Sequence, residues 1–136
     1  MKVVLQRVTN AKVEIKDKVV GKIDKGLLVL VGFTKNDTEE NIKWIVNKLV
    51  NLRIFDDENG IMNLSIKDVK GQILSVSQFT LYANAKKGNR PSYVEALKQE
   101  EATILYDKFN KELKETGINI ETGVFREDMK VSLTND

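Results

Sequence analysis

The chain is organised around one stretch, residues 73–83, which reads ILSVSQFTLYA. Its apolar residues predict a central strand, in which successive side chains point to opposite faces of the sheet. Both faces then carry hydroxyl or amide groups beside apolar ones, and each buried polar group without a partner costs about 1 to 3 kcal/mol. The pattern leaves two interpretations open: a satisfied polar network in the core, or a cleft that binds a ligand.

The composition excludes several kinds of chemistry. The 136 residues include no Cys and no His, so a disulfide, a Ser-His-Asp triad and a histidine-bound zinc are all excluded. We expect neither a metal nor another cofactor, and chemistry has to come from hydroxyls, carboxylates, lysines, backbone amides or the substrate. The net charge of +2, from 22 basic and 20 acidic residues, does not indicate a general polyanion binder.

The length predicts a single domain over residues 1–136. No window approaches the roughly 18 apolar residues of a membrane-spanning helix, and the N-terminal segment lacks the apolar core of a signal peptide. We therefore expect a cytoplasmic protein without a membrane partner.

Apolar patterns before the central stretch predict four strands and one helix. The strands cover residues 3–8, 11–15, 19–23 and 26–33, and the last of them is buried on both faces. The helix begins at Asp37 or Thr38, where Asp37 and Glu40 form an approximate capping box. Its apolar stripe consists of Ile42, Ile45, Val46 and Leu49. Trp44 lies off this stripe, against either a neighbouring element or a second subunit.

The acidic segment at residues 56–60 joins the two strands of a predicted hairpin, residues 53–55 and 61–66. It lacks the ligand spacing of an EF-hand loop, so a solvated turn is favoured over a calcium site. A further turn at residues 68–71 leads into the central stretch.

A polar loop at residues 84–92 carries Lys86, Lys87 and Arg90. Such a charge run is typically a solvated surface, but this one follows the central strand directly and is also suited to a substrate that carries phosphates. Ser92 and Glu95 predict the capping box of a second helix, which ends at Gly117. Its apolar stripe is Ala102, Leu105, Phe109 and Leu113. Strands at residues 118–122 and 129–133 complete a sheet covered by two helices.

The sequence SQFTLYA at residues 77–83 resembles the D-aminoacyl-tRNA deacylases, also called D-tyrosyl-tRNA(Tyr) deacylases. The resemblance extends over nearly the whole chain, including LQRV at 5–8, GLLVL at 26–30, LRIF at 52–55, MNLS at 62–65, GNRPS at 88–92 and DMKVSL at 128–133. It implies an α/β fold with a β-barrel-like mixed sheet covered by two main helices. It also implies a homodimer with active sites at its interface, which hydrolyses the ester between a D-amino acid and tRNA.

The same resemblance implies how this ester is hydrolysed. Backbone N–H groups of Phe79 and Thr80 stabilise the oxyanion, and one such donor is typically worth about 2.7 to 4 kcal/mol. Ser77 and Gln78 orient the substrate, while Arg7, Phe125 and Met129 shape the pocket. A nucleophilic Thr80 is the alternative, but the chain has no histidine to activate its hydroxyl. We favour hydrolysis assisted by the terminal ribose 2′-hydroxyl of the tRNA.

The chain departs from the family pattern at two places. Asn135-Asp136 matches only the beginning of an Asn-x-Gly-Pro-Val-Thr segment, whose Gly-cisPro pair reaches into the partner's site and rejects L-amino acids. For the sequence as given we therefore expect poor discrimination between D- and L-substrates. A module that binds tRNA ends or another small ligand without turnover is the alternative function. Arg126-Glu127 stands where the family more often has small residues.

Overall fold

The computed structural model describes residues 1–136, which form eight strands, two α-helices and one 3₁₀ helix. The strands are β1 (Lys2–Ile15), β2 (Lys18–Ile23), β3 (Gly26–Gly32), β4 (Phe55–Asp56), β5 (Met62–Leu64), β6 (Gln72–Ser77), β7 (Ile120–Thr122) and β8 (Lys130–Asn135). The α-helices are α1 (Glu39–Asn51) and α2 (Gln99–Glu115), and the 3₁₀ helix is Phe79–Tyr82. None of the helices is long and apolar enough to span a membrane.

The main sheet has the order β2-β1-β3-β6-β7, and β8 pairs with β1 as well. β1 is antiparallel to its three partners, whereas β6 is parallel to both β3 and β7. A Cβ added to Gly21 of β2 would lie 2.9 Å from the carbonyl oxygen of Thr122, so the sheet curls until β2 approaches the end of β7. The predicted fold class, a barrel-like mixed sheet covered by two helices, is confirmed.

The first strand is longer than predicted. Instead of two strands at residues 3–8 and 11–15, β1 runs without a break, because both halves find partners. Its register continues from β3, where Val8 pairs with Gly26, into β2, where Ala11 pairs with Ile23. β8 pairs along the other side of the second half and shifts register near Asn10. The strand is therefore not interrupted at this point, and only the ladder between β1 and β8 is irregular there.

Alternate side chains of β3 and β6 separate into two cores, as the period-two pattern predicted. Leu28, Leu74 and Val76 face the interior of the barrel together with side chains of β1 and β2. Leu27, Val29 and Ile73 face the opposite side, where they pack against α1 and α2. The parallel strands are therefore buried on both faces.

The first helix is capped by the second of the two predicted residues, but not through the predicted capping box of Asp37 and Glu40. Thr38, not Asp37, caps α1: its hydroxyl accepts from the N–H of Asn41, and the Asn41 side chain accepts from the N–H of Thr38. Asp37 instead binds the N-terminal ammonium at 2.6 Å and the N–H of Thr34. The apolar stripe predicted for α1 is correct. Trp44 is 63% exposed and lies near Lys48, so no element of this chain covers it.

The second helix begins at Gln99, so the predicted capping box of Ser92 and Glu95 is wrong. The segment before α2 finds extended backbone partners instead. Ser92 exchanges two hydrogen bonds of 2.8 Å with Asn84, and the N–H of Leu97 donates to the carbonyl of Phe33. These long-range bonds hold residues 92–97 outside the helix.

The acidic segment forms the predicted turn between β4 and β5. Asp57 accepts from the N–H groups of Ile61 and Asn59, and these hydrogen bonds, chiefly that of Ile61, hold the pKa of its carboxyl below the ordinary value. The carboxylate therefore serves the turn itself.

Candidate active site

The candidate site lies where β6 ends. β6 pairs with β3 as far as Ser77, and the N–H of Gln78 donates to the carbonyl of Val31 at 2.7 Å. Because β3 ends at Gly32, the following residues have no strand to pair with. Local hydrogen bonds replace the ladder, and the chain turns into the 3₁₀ helix. The predicted strand over residues 73–83 is therefore wrong in its second half.

Gly32 allows the 3₁₀ helix to pack against the end of β3. A Cβ at this position would lie 2.9 Å from the carbonyl oxygen of Gln78 and 3.3 Å from the Cβ of Leu81. Any side chain there has to displace the backbone of residues 78–81. Sequence analysis did not single out Gly32, although a glycine at the end of a buried strand is a known signal of close backbone approach.

The turn leaves two backbone amides without acceptors. The N–H groups of Phe79 and Thr80 make no hydrogen bond to the turns and loops of the chain. A 3₁₀ helix also gives its first N–H groups no partner of its own. Two adjacent amide donors at the start of the 3₁₀ helix are therefore free to bind a negatively charged oxygen.

A cavity of about 570 Å³ opens beside these amides. Ser77, Gln78 and Phe79 line it from the end of β6, and Phe125 and Met129 line it from the loop between β7 and β8. The remaining lining comes from residues 31–33, 96–99 and 126–128, with Val76, Tyr93, Ala102 and Val131. The structure thus brings together five of the predicted site residues around one cavity.

Two aromatic rings stand at the cavity. Phe79 is 55% exposed and Tyr93 is 41% exposed, and their rings meet edge to face with centroids 5.3 Å apart. Tyr93, Lys98 and Gln99 were missed as site residues, because the sequence placed them within or near a regular helix. No local signal could have found them, because Pro91 precedes the helix start predicted at Ser92 and is compatible with it.

The polar residues of the central stretch divide between the buried core and the cavity. Ser75 is fully buried, and its hydroxyl donates to the side-chain oxygen of Asn110 at 2.7 Å. The Tyr106 hydroxyl donates to the Ser75 carbonyl at 2.8 Å, and burial raises the pKa of this phenol. Ser77 and Gln78, by contrast, line the cavity.

Thr80 lies beside the cavity, but it is not one of its lining residues. Its hydroxyl oxygen accepts a hydrogen bond from the side-chain amide of Gln78. An amide donor cannot remove the hydroxyl proton, so this contact does not activate Thr80 as a nucleophile.

Arg7 lies on β1, and it is also absent from the cavity lining. Its guanidinium donates to the carbonyl of Ile54 at 3.0 Å, to the Asp56 carboxylate at 3.1 Å and to the Asp136 carbonyl at 2.9 Å. The chain therefore uses Arg7 to join β1 to two other segments. A role in the pocket stays a prediction.

The three basic residues of the loop lie outside the cavity as well. Lys86, Lys87 and Arg90 are exposed, and none of them is in an ion pair. The reciprocal hydrogen bonds between Asn84 and Ser92 close the base of their loop. The loop thus presents three uncompensated positive charges from a fixed base next to the 3₁₀ helix.

Arg126 adopts a conformation that explains the preference for small residues at its position. Its φ is +73°, in the left-handed region that favours glycine and asparagine. Its guanidinium lies 3.6 Å from the Glu100 carboxylate. No group of three or more acidic side chains is placed to hold a metal ion.

Comparison with known proteins gives one family. Residues 4–136 match the family model described as D-Tyr-tRNA(Tyr) deacylase. A D-aminoacyl-tRNA deacylase of Flavobacterium psychrophilum is 56% identical over all of this chain and 91% of the relative. One from Bacillus velezensis is 53% identical over 99% of this chain and 92% of the relative.

Two solved structures share the fold. A c-Myc DNA unwinding element binding protein superimposes with a TM-score of 0.93 and 38% identity, covering 100% of this chain and 93% of the other. A structure described as "a probable eukaryotic D-amino acid tRNA deacylase" gives a TM-score of 0.85 at 18% identity, over 98% of this chain and 93% of the other. The second likeness concerns the fold alone.

Proposed function

This chain belongs to the D-Tyr-tRNA(Tyr) deacylase family, and from that premise we propose that it hydrolyses the ester bond between a D-amino acid and tRNA. It is a hydrolase acting on esters, and its reaction removes wrongly charged D-amino acids from translation. The observation that carries the proposal is the pair of unpartnered amides at Phe79 and Thr80, which lie beside a cavity of about 570 Å³.

The direct test is a deacylation assay on D-Tyr-tRNA. We expect the charged tRNA to lose its amino acid with time, in proportion to enzyme concentration. Saturable binding of the charged tRNA without ester loss contradicts the proposal and identifies a module without turnover. Uncharged tRNA is the control for binding that does not depend on the amino acid.

The proposed mechanism relies on fixed dipoles and not on a titrating base. The N–H groups of Phe79 and Thr80 hold the oxyanion of the tetrahedral intermediate, where one donor is worth about 2.7 to 4 kcal/mol. Ser77 and Gln78 orient the ester from the same wall. Phe125 and Met129 shape the pocket from the loop between β7 and β8. The ribose 2′-hydroxyl of the substrate assists the attack of water.

Replacing Thr80 by alanine separates this mechanism from nucleophilic attack. Thr80→Ala keeps the backbone N–H and removes the γ-methyl group and the hydroxyl that accepts from Gln78. We expect kcat to fall by less than about tenfold, the loss of one neutral hydrogen bond. A D-Tyr-tRNA with a terminal 2′-deoxyribose should react at least about tenfold more slowly with the wild type. A trapped acyl ester on Thr80, or near-complete loss of activity in Thr80→Ala, contradicts the mechanism.

We further propose that Lys86, Lys87 and Arg90 lie near tRNA phosphates. Each contact with a single strand contributes a slope of roughly 0.7 to the dependence of log K on log salt. Changing all three to glutamine should weaken tRNA binding and reduce this slope by about 2. The matched control changes Lys67, Lys70 and Lys114, which are exposed and lie away from the 3₁₀ helix. Equal slopes in both triple variants contradict the proposed phosphate contacts and indicate that the loop is an ordinary solvated surface.

We also propose a homodimer in the cytoplasm, where charged tRNA is used. The resemblance implies active sites at a dimer interface. Exposed apolar side chains near the cavity support this arrangement, since Phe79 and Tyr93 are half exposed and Val94 is 84% exposed. Sedimentation should give twice the mass of the chain at micromolar concentration. A fully active monomer contradicts the dimer.

A further inference from the structure

The first residue of β1 contacts the 3₁₀ helix from across the sheet, and the proposed mechanism does not use this contact. The ammonium of Lys2 donates to the carbonyl of Leu81 at 3.2 Å. The same ammonium lies 4.5 Å from the centroid of the Tyr82 ring, a distance at which a cation and an aromatic face attract each other. One side chain of β1 thus makes two polar contacts with the last two residues of the helix.

Gly32 explains how the Lys2 side chain can reach the helix. Lys2 and Gly32 are paired in the antiparallel ladder between β1 and β3, and directly opposite residues of such a ladder point to the same face of the sheet. A Cβ at Gly32 would lie 3.3 Å from the Cβ of Leu81 and 3.4 Å from the Cδ2 of Tyr82. The residue opposite Lys2 therefore points at the helix and leaves the space for contact open, because it has no side chain.

The contacts of Lys2 bear on the free amides through the hydrogen bonds of the helix itself. The N–H of Leu81 donates to the carbonyl of Gln78 at 3.3 Å. The carbonyl of Gln78 and the N–H of Phe79 belong to one planar peptide group, so the direction of one fixes the direction of the other. A 3₁₀ helix has hydrogen bonds of poorer geometry than an α-helix, and contacts from outside therefore matter more for holding it. Holding Leu81 in place thus helps to fix the direction of the Phe79 amide.

We propose that Lys2 is a positioning residue, which holds the 3₁₀ helix so that the Phe79 amide points at the oxyanion. This inference rests on the function proposed above. The oxyanion exists only from the transition state onwards, so loss of the ammonium slows the reaction and leaves binding of the ester nearly unchanged. The aliphatic part of the side chain cannot replace it, because the ammonium makes both contacts.

The experiment compares two substitutions of Lys2 in the hydrolysis of D-Tyr-tRNA. Lys2→Met keeps an unbranched side chain and removes the charge, whereas Lys2→Arg keeps a cation that can donate to a carbonyl and lie over an aromatic ring. For Lys2→Met we expect kcat to fall about three- to tenfold while KM changes by less than about twofold. For Lys2→Arg we expect kcat to stay within about twofold of the wild type.

The matched control is Lys12→Met, which removes the same charge from the same strand. Lys12 pairs with Glu14 at 2.8 Å and lies in the half of β1 that pairs with β2 and β8. We expect this variant to keep the kcat and KM of the wild type. An equal fall of kcat in both methionine variants assigns the effect to weaker attraction of the tRNA and overturns the role of Lys2. So does a wild-type kcat in Lys2→Met, or a kcat of Lys2→Arg as low as that of Lys2→Met.

Hydrogen exchange tests the same contact without a substrate. The N–H of Ala83 donates to the carbonyl of Thr80 at 3.0 Å and closes the end of the helix that Lys2 contacts. In Lys2→Met this amide should exchange several-fold faster than in the wild type, because the helix opens more often, while amides in the centre of β3 keep their rates. Unchanged exchange at Ala83, or equal acceleration throughout the sheet, overturns the positioning role. Inactivity of the wild type on D-Tyr-tRNA counts against the proposed function and leaves this measurement valid.

Discussion

Phe79→Pro is expected to lower kcat about 100- to 1,000-fold relative to Phe79→Ala, because proline removes one of the two amide donors proposed for the oxyanion. Both substitutions delete the aromatic side chain. The difference between them is therefore the loss of a single N–H group, together with the closure of the proline ring.

The local backbone is suited to this substitution. Phe79 is the first residue of the 3₁₀ helix, where proline is tolerated because its missing N–H has no partner in the helix. A proline disfavours the α region for the preceding residue, and Gln78 lies outside that region with φ −145° and ψ 85°. We expect the proline variant to fold, with an unfolding midpoint near that of the alanine variant.

Single-turnover deacylation of D-Tyr-tRNA measures the effect on the chemical step, and circular dichroism confirms that both variants are folded. Equal rates in the proline and alanine variants contradict the oxyanion role of the Phe79 amide. A large loss in both variants assigns the effect to the aromatic ring and its contact with Tyr93.

Gly26→Ala is expected to destabilise the fold more than any other single methyl group added to this sheet. A Cβ on Gly26 would lie 1.8 Å from the carbonyl oxygen of Gln72 and 2.6 Å from its backbone nitrogen. Gly26 and Gln72 begin the parallel ladder of β3 and β6. Backbone atoms cannot rotate away like a side chain, so the two strands have to separate. We expect a loss of about 3 kcal/mol or more in the free energy of unfolding.

Urea unfolding followed by fluorescence of Trp44 measures this loss. Lys25→Ala is the control, since it changes the neighbouring, exposed side chain and leaves the ladder untouched. A difference below about 1 kcal/mol between the two variants means that β3 and β6 tolerate a wider separation than the structure shows.

The local sequence pattern was sufficient to predict those elements whose structure is decided by the burial of apolar side chains. The continuous apolar run of β3 and the stripe of α1 were both predicted, because each residue there simply faces a core. The predicted bounds of strands and helices are wrong where they depend on a partner that is distant in the sequence. β1 is continuous because it has β8 as a neighbour. The side chains of Gln6 in β1 and Asn135 in β8 form a hydrogen bond although they lie 129 positions apart in the sequence. α2 begins late because Leu97 binds the carbonyl of Phe33.

The candidate site was predictable to the extent that its side chains are unusual for a strand. Ser77 and Gln78 stand out as polar groups in an apolar stretch, and the family resemblance added Phe125 and Met129. Gly32 and Tyr106 look like ordinary core residues in the sequence. Only their short distances to Gln78 and Ser75 connect them with the central stretch. Distances of this kind follow only from the packed structure.

The pairing of β1 with β8 also has a consequence for how the protein is made. Translation delivers β1 at the start and β8 only after the whole of α2 and β7, so the nascent chain carries an unpaired strand edge through most of its synthesis. Such an edge is a site for pairing with other chains. Met129, which directly precedes β8, closes its side of the cavity only when this last strand docks. Until β8 has left the ribosome and docked on β1, the nascent chain should therefore be inactive and in need of protection.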